Sequence, residues 1–319
     1  SLMMRCGKKM NPNNKQNYIK KIAEVKSISI AAELLGISQP ALSAYLKKTE
    51  SELGTQLFDR SRQPLELTET GQAYLNYLEK EAALHKELEQ NLADIDMLHT
   101  GRITVGGASF FNIAYLPGTI AAYAAEYPGV DIEIVDGKVP ELVTMAQKGM
   151  LDLFITPVAD EPDRFVYEEL LEEQIYLAVP WSWKINDSLA AKAADGKNSR
   201  PPLLTKDEFA CLCENTFIVL KSDQDIGQKM EALFEKYQCR PARTVTAEQT
   251  MTTLALTQSG VGVSLITESS IRNSGLKKKP ALYRVDERIC TRKMYIAYPR
   301  NKYLSRATTE FIRILKENN

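Results

Sequence analysis

The sequence predicts an α/β chain with three parts: an N-terminal all-α winged helix-turn-helix, one long linker helix, and a larger domain built on a parallel sheet. Three observations carry this reading. Residues 27–71 read SISIAAELLGISQPALSAYLKKTESELGTQLFDRSRQPLELTETG, two short helices around a glycine turn. Residues 74–98 repeat apolar side chains at a spacing of about 3.5 residues. From residue 101 onward, strand-like and helix-like stretches alternate with short connections, the pattern of a parallel α/β sheet.

The first helix is predicted over 15–26 (KQNYIKKIAEVK), with Tyr18, Ile22 and Val25 on one side. Ser29 is placed to cap a second, short helix whose apolar positions are Ala31, Ala32, Leu34 and Leu35. Gly36 stands where that helix must turn, because glycine tolerates a positive φ. Ile37 can plug the angle between the helices. Ser38 caps the third helix, with Pro40 in the first turn, where a missing N–H costs nothing. Leu42, Leu46, Thr49 and Leu53 then share one face, and Gln39, Ser43, Ala44, Lys47 and Lys48 the other. A short helix with an apolar back and a polar, basic front suits a DNA major groove.

Thr68 is placed to cap the long helix, with Glu69 in its first turn. Positions 74, 77, 81, 84, 88, 91, 95 and 98 are Tyr, Tyr, Glu, Leu, Leu, Asn, Ile and Leu. This is a coiled-coil seam interrupted by Glu81 and Asn91, and a polar seam residue can set register. A helix packed on its own domain is the alternative reading. Pairing of two chains is preferred, because a new domain begins directly afterwards.

That domain opens with the strand ITVGGAS, the helix SFFNIAYLPGTIAAYAAEYP and the strand VDIEIVDG. The helix ELVTMAQKGM and the strand LDLFITPV follow, then QIYLAVP, the loop DSLAAKAADGKNSRPPLLT and TFIVLKS. A helix near 226–237, the strand ARTVTA, a helix near 250–259 and GVGVSLIT come next. Residues 281–299 supply two strands and 305–316 a last helix.

Charge is divided unevenly. Residues 1–66 hold 11 Lys and Arg against 6 Asp and Glu, a net of +5, while the rest of the chain's 40 and 41 leave −6. A basic head on an acidic body fits DNA contact at one end. No stretch reaches the ~18 apolar residues of a membrane span, and SLMMRCGKKMNPNN precedes no apolar run of a secretion signal. A cytoplasmic protein with reduced thiols and no membrane partner is expected. Cys6, Cys211, Cys213, Cys239 and Cys290 lack metal-site spacing, and only His85 and His99 accompany them. They read as small buried hydrophobes, with a redox role for Cys211 and Cys213 as the alternative. Gly106-Gly107 and Gly260-Val261-Gly262 are not dinucleotide fingerprints, and no P-loop or catalytic triad is present. No enzyme activity, metal or cofactor is expected.

The string SQPALS, then LG, LF, a basic residue and LTETG resembles the LysR-type transcriptional regulators. The resemblance continues through YPGVDIEIVDG, GMLDLFIT, QSGVGVSLIT and the closing MYIAYP, and covers about residues 17–316. It implies a DNA-recognition role for the third helix, packing by Leu57-Phe58, and a two-stranded wing from Arg60 to Leu67. It also implies a linker helix that pairs subunits into a homodimer or homotetramer. The last domain then has a two-lobed fold like a type-II periplasmic binding protein, with a small-molecule effector in its cleft. The domains expected are 10–67, 68–99 and 100–319. Lobe I comprises about 103–172 and 268–319, and lobe II about 173–267. Two residues depart from the pattern: Ala44 stands where the family usually has Arg, and Thr49 where it has a large apolar residue.

On this reading double-stranded DNA meets Ser38, Gln39, Pro40, Ser43 and Ala44 on the recognition helix. Gln39, Pro40 and Ser43 face base edges, and Lys47, Lys48, Arg60 and Arg62 hold phosphates. In open α/β sheets ligands sit beyond the carboxyl ends of strands, near helix N-termini that favour anions. Ser109, Phe110, Asp136, Thr156, Lys221, Ser222, Glu248, Gln249 and Thr250 occupy such ends and form the expected effector site. Most of these residue types also serve as local helix caps. Lys221 and two helix starts favour a carboxylate or similar anion, whereas Asp136 and Glu248 oppose a strongly charged one. A solute-binding transport protein is the competing reading. It would need an export signal and no DNA module.

Overall fold

The computed structural model describes residues 16–61, 64–95, 101–190, 200–275 and 279–319. Two compact units divide at Leu88 and Glu89, inside one long helix.

The first unit contains α1 (Gln16–Val25), α2 (Ile28–Leu34), α3 (Gln39–Leu53), β1 (Phe58–Asp59), β2 (Glu66–Leu67) and most of α4 (Glu69–Ile95). Its core is Ile19, Ile22, Ala31, Ala32, Leu42, Leu46, Leu57, Phe58 and Leu78. Ser27, not Ser29, caps α2. Ser27 is extended at φ −154°, and its hydroxyl accepts from the Ile30 N–H, so Ser29 already lies inside the helix. Leu34 is also not core, being exposed. Gly36 makes the turn at φ 66°, and Ser38 caps α3 by accepting from the Ala41 N–H.

Leu53 departs from the expected buried face: it is 43% exposed, while Glu50 is 8% exposed. The reason is a pair of charge-assisted hydrogen bonds. Glu50 Oε1 accepts from the Leu57 N–H at 2.9 Å, and Oε2 from Arg60 Nη2 at 2.7 Å. Thr49 is buried, with its hydroxyl returned to the Tyr45 carbonyl. The wing pairs Phe58 with Leu67 and Asp59 with Glu66. Its first strand therefore precedes Arg60, where the wing was expected to begin. Thr68 caps α4, accepting from the Gly71 N–H at 2.9 Å. Along α4, Leu78 joins the core, while Tyr77, Leu84, Leu88 and Leu92 are exposed. Seam position 98 and the side chain at 95 lie outside the described residues.

The second unit continues with β3 (Gly101–Gly107), α5 (Ser109–Glu126), β4 (Val130–Asp136), α6 (Val139–Gln147), β5 (Leu153–Thr156) and β6 (Phe165–Val179). Then come α7 (Ile185–Ala190), α8 (Lys206–Leu212), β7 (Thr216–Leu220), α9 (Asp225–Tyr237), β8 (Arg243–Ala247), α10 (Thr250–Gln258), β9 (Val263–Thr267) and α11 (Glu268–Asn273). β10 (Ala281–Tyr283), β11 (Thr291–Pro299) and α12 (Arg306–Glu317) close the chain.

The strand order is β4-β3-β5-β11-β6-β9-β7-β8, with β10 paired to β6. β3 pairs in parallel with β4 and β5, and β7 with β8 and β9. β6 and β11 run antiparallel to each other, so the sheet is mixed rather than parallel throughout. The long β6 joins the two halves: its residues 165–174 pair with β11, and 175–179 with β9 and β10. One core gathers Val105, Tyr115, Tyr123, Ile155, Met294 and Phe311; the other gathers Leu177, Phe209, Phe217, Met230, Phe234 and Val263. Tyr283, Val285 and Cys290 pack into the second core, although the sequence reading put 268–319 with the first lobe. α7 covers the first residues of the stretch expected to be a loop (187–205), and α8, in a stretch given no element, forms because Thr205 and Glu208 make a capping box.

Candidate nucleic-acid interface and effector cleft

The capped α3 turns Leu42, Leu46 and Thr49 inward. Ser38, Gln39, Pro40, Ala44, Lys47 and Lys48 are exposed, and Ser43 is half-buried. The two lysines stand free of any strong partner, the Lys48 ammonium lying 3.8 Å from Glu52 across an exposed pair. Such a contact holds a side chain weakly. Arg60 differs: its guanidinium is engaged by Glu50, and its side chain is 43% exposed. Arg62 lies outside the described residues.

In the second unit, side-chain contacts link four of the five expected loops. Asn112 of α5 donates to Asp136 Oδ1 at 2.5 Å, tying the start of α5 to the end of β4. Lys138, which the sequence reading did not single out, then reaches Asp223 at 3.2 Å. That pair connects the β4–α6 turn in one half to the β7–α9 loop in the other. Lys221 pairs with Glu248, and Gln224 Nε2 donates to the Glu248 carbonyl at 3.0 Å. The hydrogen bond to Glu248 holds the Lys221 ammonium above its ordinary pKa, and Lys221 holds the Glu248 carboxyl below its own. Lys221 is therefore already balanced by a carboxylate.

Ser109 is half-buried at the first position of α5, and Ser222 is exposed. α5 and α10 begin at Ala108 and Gln249, neither of which caps its helix with a side chain. Thr250 opens α10, and its carbonyl accepts from the Thr253 hydroxyl. Phe110 is buried in the first core. Thr156 is fully buried, and its hydroxyl is spent on the Val158 N–H and carbonyl. That is the local cap reading of Thr156. It lines a cavity of about 310 Å³ beside α6 with Val139, Pro140, Val143 and Tyr167.

A buried ionic group escaped the sequence reading. Arg292 on β11 is paired in register with Glu173 on β6, and its Nε and Nη2 donate to Glu173 Oε1 at 2.9 and 2.5 Å. Arg292 Nη1 reaches Asp225 at 3.3 Å, and its guanidinium lies 5.2 Å from the Phe111 ring. Glu173 Oε2 accepts from Tyr115 at 3.0 Å and Ser269 at 2.6 Å. Burial opposes the Arg292 charge, but Glu173 and Asp225 outweigh it and raise its pKa. Burial, and then Glu173, push the Tyr115 phenol up as well. The signal was available: in a strand of period two, Glu173 and Arg292 share the inward parity of Ile175 and Met294.

Among the described residues no cluster of His, Cys, Asp and Glu could hold a metal ion. The arrangement can bind a small molecule and a polyanion.

Comparison with known proteins agrees. The family model for a LysR substrate binding domain matches residues 98–319, and that for a bacterial regulatory helix-turn-helix protein of the lysR family matches 14–72. The uncharacterized HTH-type transcriptional regulator YcgK of Bacillus subtilis (strain 168) is 25% identical over 94% of this chain and 93% of its own length. The HTH-type transcriptional regulator CfxR of Cupriavidus necator is 26% identical over 80% and 74%. Full-length CbnR in complex with its target DNA has a similar fold, with a TM-score of 0.67 at 18% identity over 96% and 99% of the two chains. Full-length OxyR from Pseudomonas aeruginosa gives 0.64 at 19% identity over 96% and 93%.

Proposed function

The chain belongs to the LysR family of helix-turn-helix transcriptional regulators, and we propose that α3 reads duplex DNA while a small molecule between the two lobes sets the response. It is a DNA-binding transcriptional regulator with a substrate-binding effector domain. Its action is binding rather than catalysis. Gln39, Pro40 and Ser43 meet base edges, and Lys47, Lys48, Arg60 and Arg62 meet phosphates. The observation that supports this assignment is the open face of α3, where two lysines point to solvent opposite a packed apolar back.

The functional unit is a homodimer that pairs further into a homotetramer. Exposed Tyr77, Leu84, Leu88 and Leu92 on α4 support this, since such a stripe favours a partner helix. Among the described residues no helix is long and apolar enough to cross a membrane, and a regulator of this kind works beside the chromosome, in the cytoplasm.

The effector is a small polar anion such as a carboxylate. Its support is the pair of helix starts at Ala108 and Gln249, both without a side-chain cap. Ser109, Asp136, Ser222, Gln249 and Thr250 would complete the contacts, and opening of the Lys221–Glu248 pair would free an ammonium for the ligand. A ligand shifts the population of a closed state only by its differential affinity for that state. Native mass spectrometry of the purified protein identifies the retained molecule. Calorimetry with it should then show weaker binding to Ser109→Ala and Gln249→Ala. Unchanged affinity in both variants would move the site elsewhere.

A further inference from the structure

We propose that Cys213 and Cys239 form a reversible disulfide, a thiol switch in the second lobe whose bonding atoms lie outside the cleft. The two Sγ atoms stand 2.8 Å apart, and both thiols are free. This is the one sulfur–sulfur contact among the described residues. A disulfide bond measures about 2.05 Å, so closure requires only a small movement.

Local structure holds the pair in place from both sides. α8 ends at Cys213, whose N–H donates to the Phe209 and Ala210 carbonyls. α9 ends at Gln238, which takes the left-handed conformation at φ 53°, and the Cys239 N–H then returns to the Phe234 carbonyl at 3.2 Å. The Ala242 N–H donates to the Cys213 carbonyl at 2.8 Å, binding the two backbone segments beside the sulfurs. Cys211, two residues earlier, is exposed, and Cys290 is buried in the same core.

Closure has a consequence for the cleft. Between Cys213 and Cys239 run β7, the loop with Lys221 and Asp223, and α9 with Asp225 at its start. A bond across these 26 positions makes that β–loop–α unit a covalent ring. The ring carries the partners of Lys138, Glu248 and Arg292. Oxidation therefore stiffens a segment that faces both the cleft mouth and the buried ionic group.

Hydrogen peroxide serves as the oxidant. Cys239 is the more exposed of the two, so its sulfur attacks a peroxide oxygen. The O–O bond breaks, one water leaves, and Cys239 becomes a sulfenic acid. The Cys213 sulfur then attacks Cys239 Sγ, the S–S bond forms, and the hydroxyl leaves with the Cys213 proton as a second water. Two thiols are oxidised and one peroxide is reduced. Burial, and then the Cys239 thiol beside it, push the Cys213 thiol up to about 12, so Cys213 is not the thiol that meets the peroxide first.

The test treats the full-length protein with hydrogen peroxide, blocks remaining thiols, and maps peptides without reduction. The expected result is a linked peptide pair joining Cys213 and Cys239, two hydrogens lighter, that dithiothreitol separates. The oxidised protein should unfold on the order of 5–10 °C higher than the reduced form. Cys211→Ser keeps both effects and Cys239→Ser loses both; wild-type mapping stands alone if Cys239→Ser does not fold. A link through Cys211 or Cys290, sulfinic acid at Cys239 without a link, or two intact thiols after complete oxidation of added glutathione would each overturn the proposal.

Discussion

Gln90, near the end of α4, donates from Nε2 to Oδ1 of Asp152, the residue before β5, at 2.8 Å. Both residues are buried. The same carboxylate takes the Thr104 N–H at 2.8 Å and the Lys302 ammonium at 3.0 Å. The last turns of α4, which belong to the second compact unit, are thus fastened to its sheet by a charge-assisted hydrogen bond.

Gln90→Ala should destabilise the effector unit by about 1.5–3 kcal/mol, the worth of a hydrogen bond to a charged group. Asp152→Ala should cost more, about 3–5 kcal/mol, because it leaves the Lys302 charge without its carboxylate. Urea unfolding of the full chain reads both. Gln90→Ala with unchanged stability would show that this contact carries no weight.

At the Glu173–Arg292 pair the sign of the effect depends on how it is removed. Arg292→Met alone leaves a buried carboxylate and should cost about 3–5 kcal/mol. Replacing both, with Glu173→Leu added, should recover much of that loss, since a well-packed apolar pair is often no worse than a buried ion pair. A double variant as unstable as Arg292→Met would contradict this account of the site.

Glu50→Ala is expected to destabilise the first unit by about 2 kcal/mol, since the Leu57 N–H loses its acceptor and Arg60 its anchor. Thermal unfolding checks it. A shift smaller than 1 °C would mean that Leu53, not Glu50, governs that face of α3.

These contacts mark the limit of what local pattern conveys. Gly36, Ser38 and Thr68 were legible, because a turn or cap depends on a few adjacent residues. Ser27 and Ser29 were not separable, since either serine could precede the same apolar run, and the backbone at Ser27 decides. Glu50 escaped because a buried carboxylate in a helix depends on partners seven and ten residues away. Glu173 and Arg292 are 119 residues apart, and only strand pairing brings them together. Lys221 was legible as a residue just past a strand end, but its pairing with Glu248 was not, for the same reason. Thr156 was placed correctly at a strand end, yet its hydroxyl turns into its own loop.

Leu88→Glu on α4 tests the seam. A carboxylate there stays solvated in the free chain but is desolvated between paired helices, at a cost of several kcal/mol. Sedimentation should show a smaller species with the fold retained by circular dichroism. Wild-type assembly in this variant would remove Leu88 from any subunit contact.

The most direct test of DNA reading by α3 is the salt dependence of binding to a random-sequence duplex. Each phosphate contact contributes about −0.9 to the slope of log K against log salt. The Lys47→Ala/Lys48→Ala protein should bind more weakly with a slope shallower by about 1.8 per subunit engaged. An affinity and slope equal to wild type across the titration would contradict a DNA-facing role for this helix.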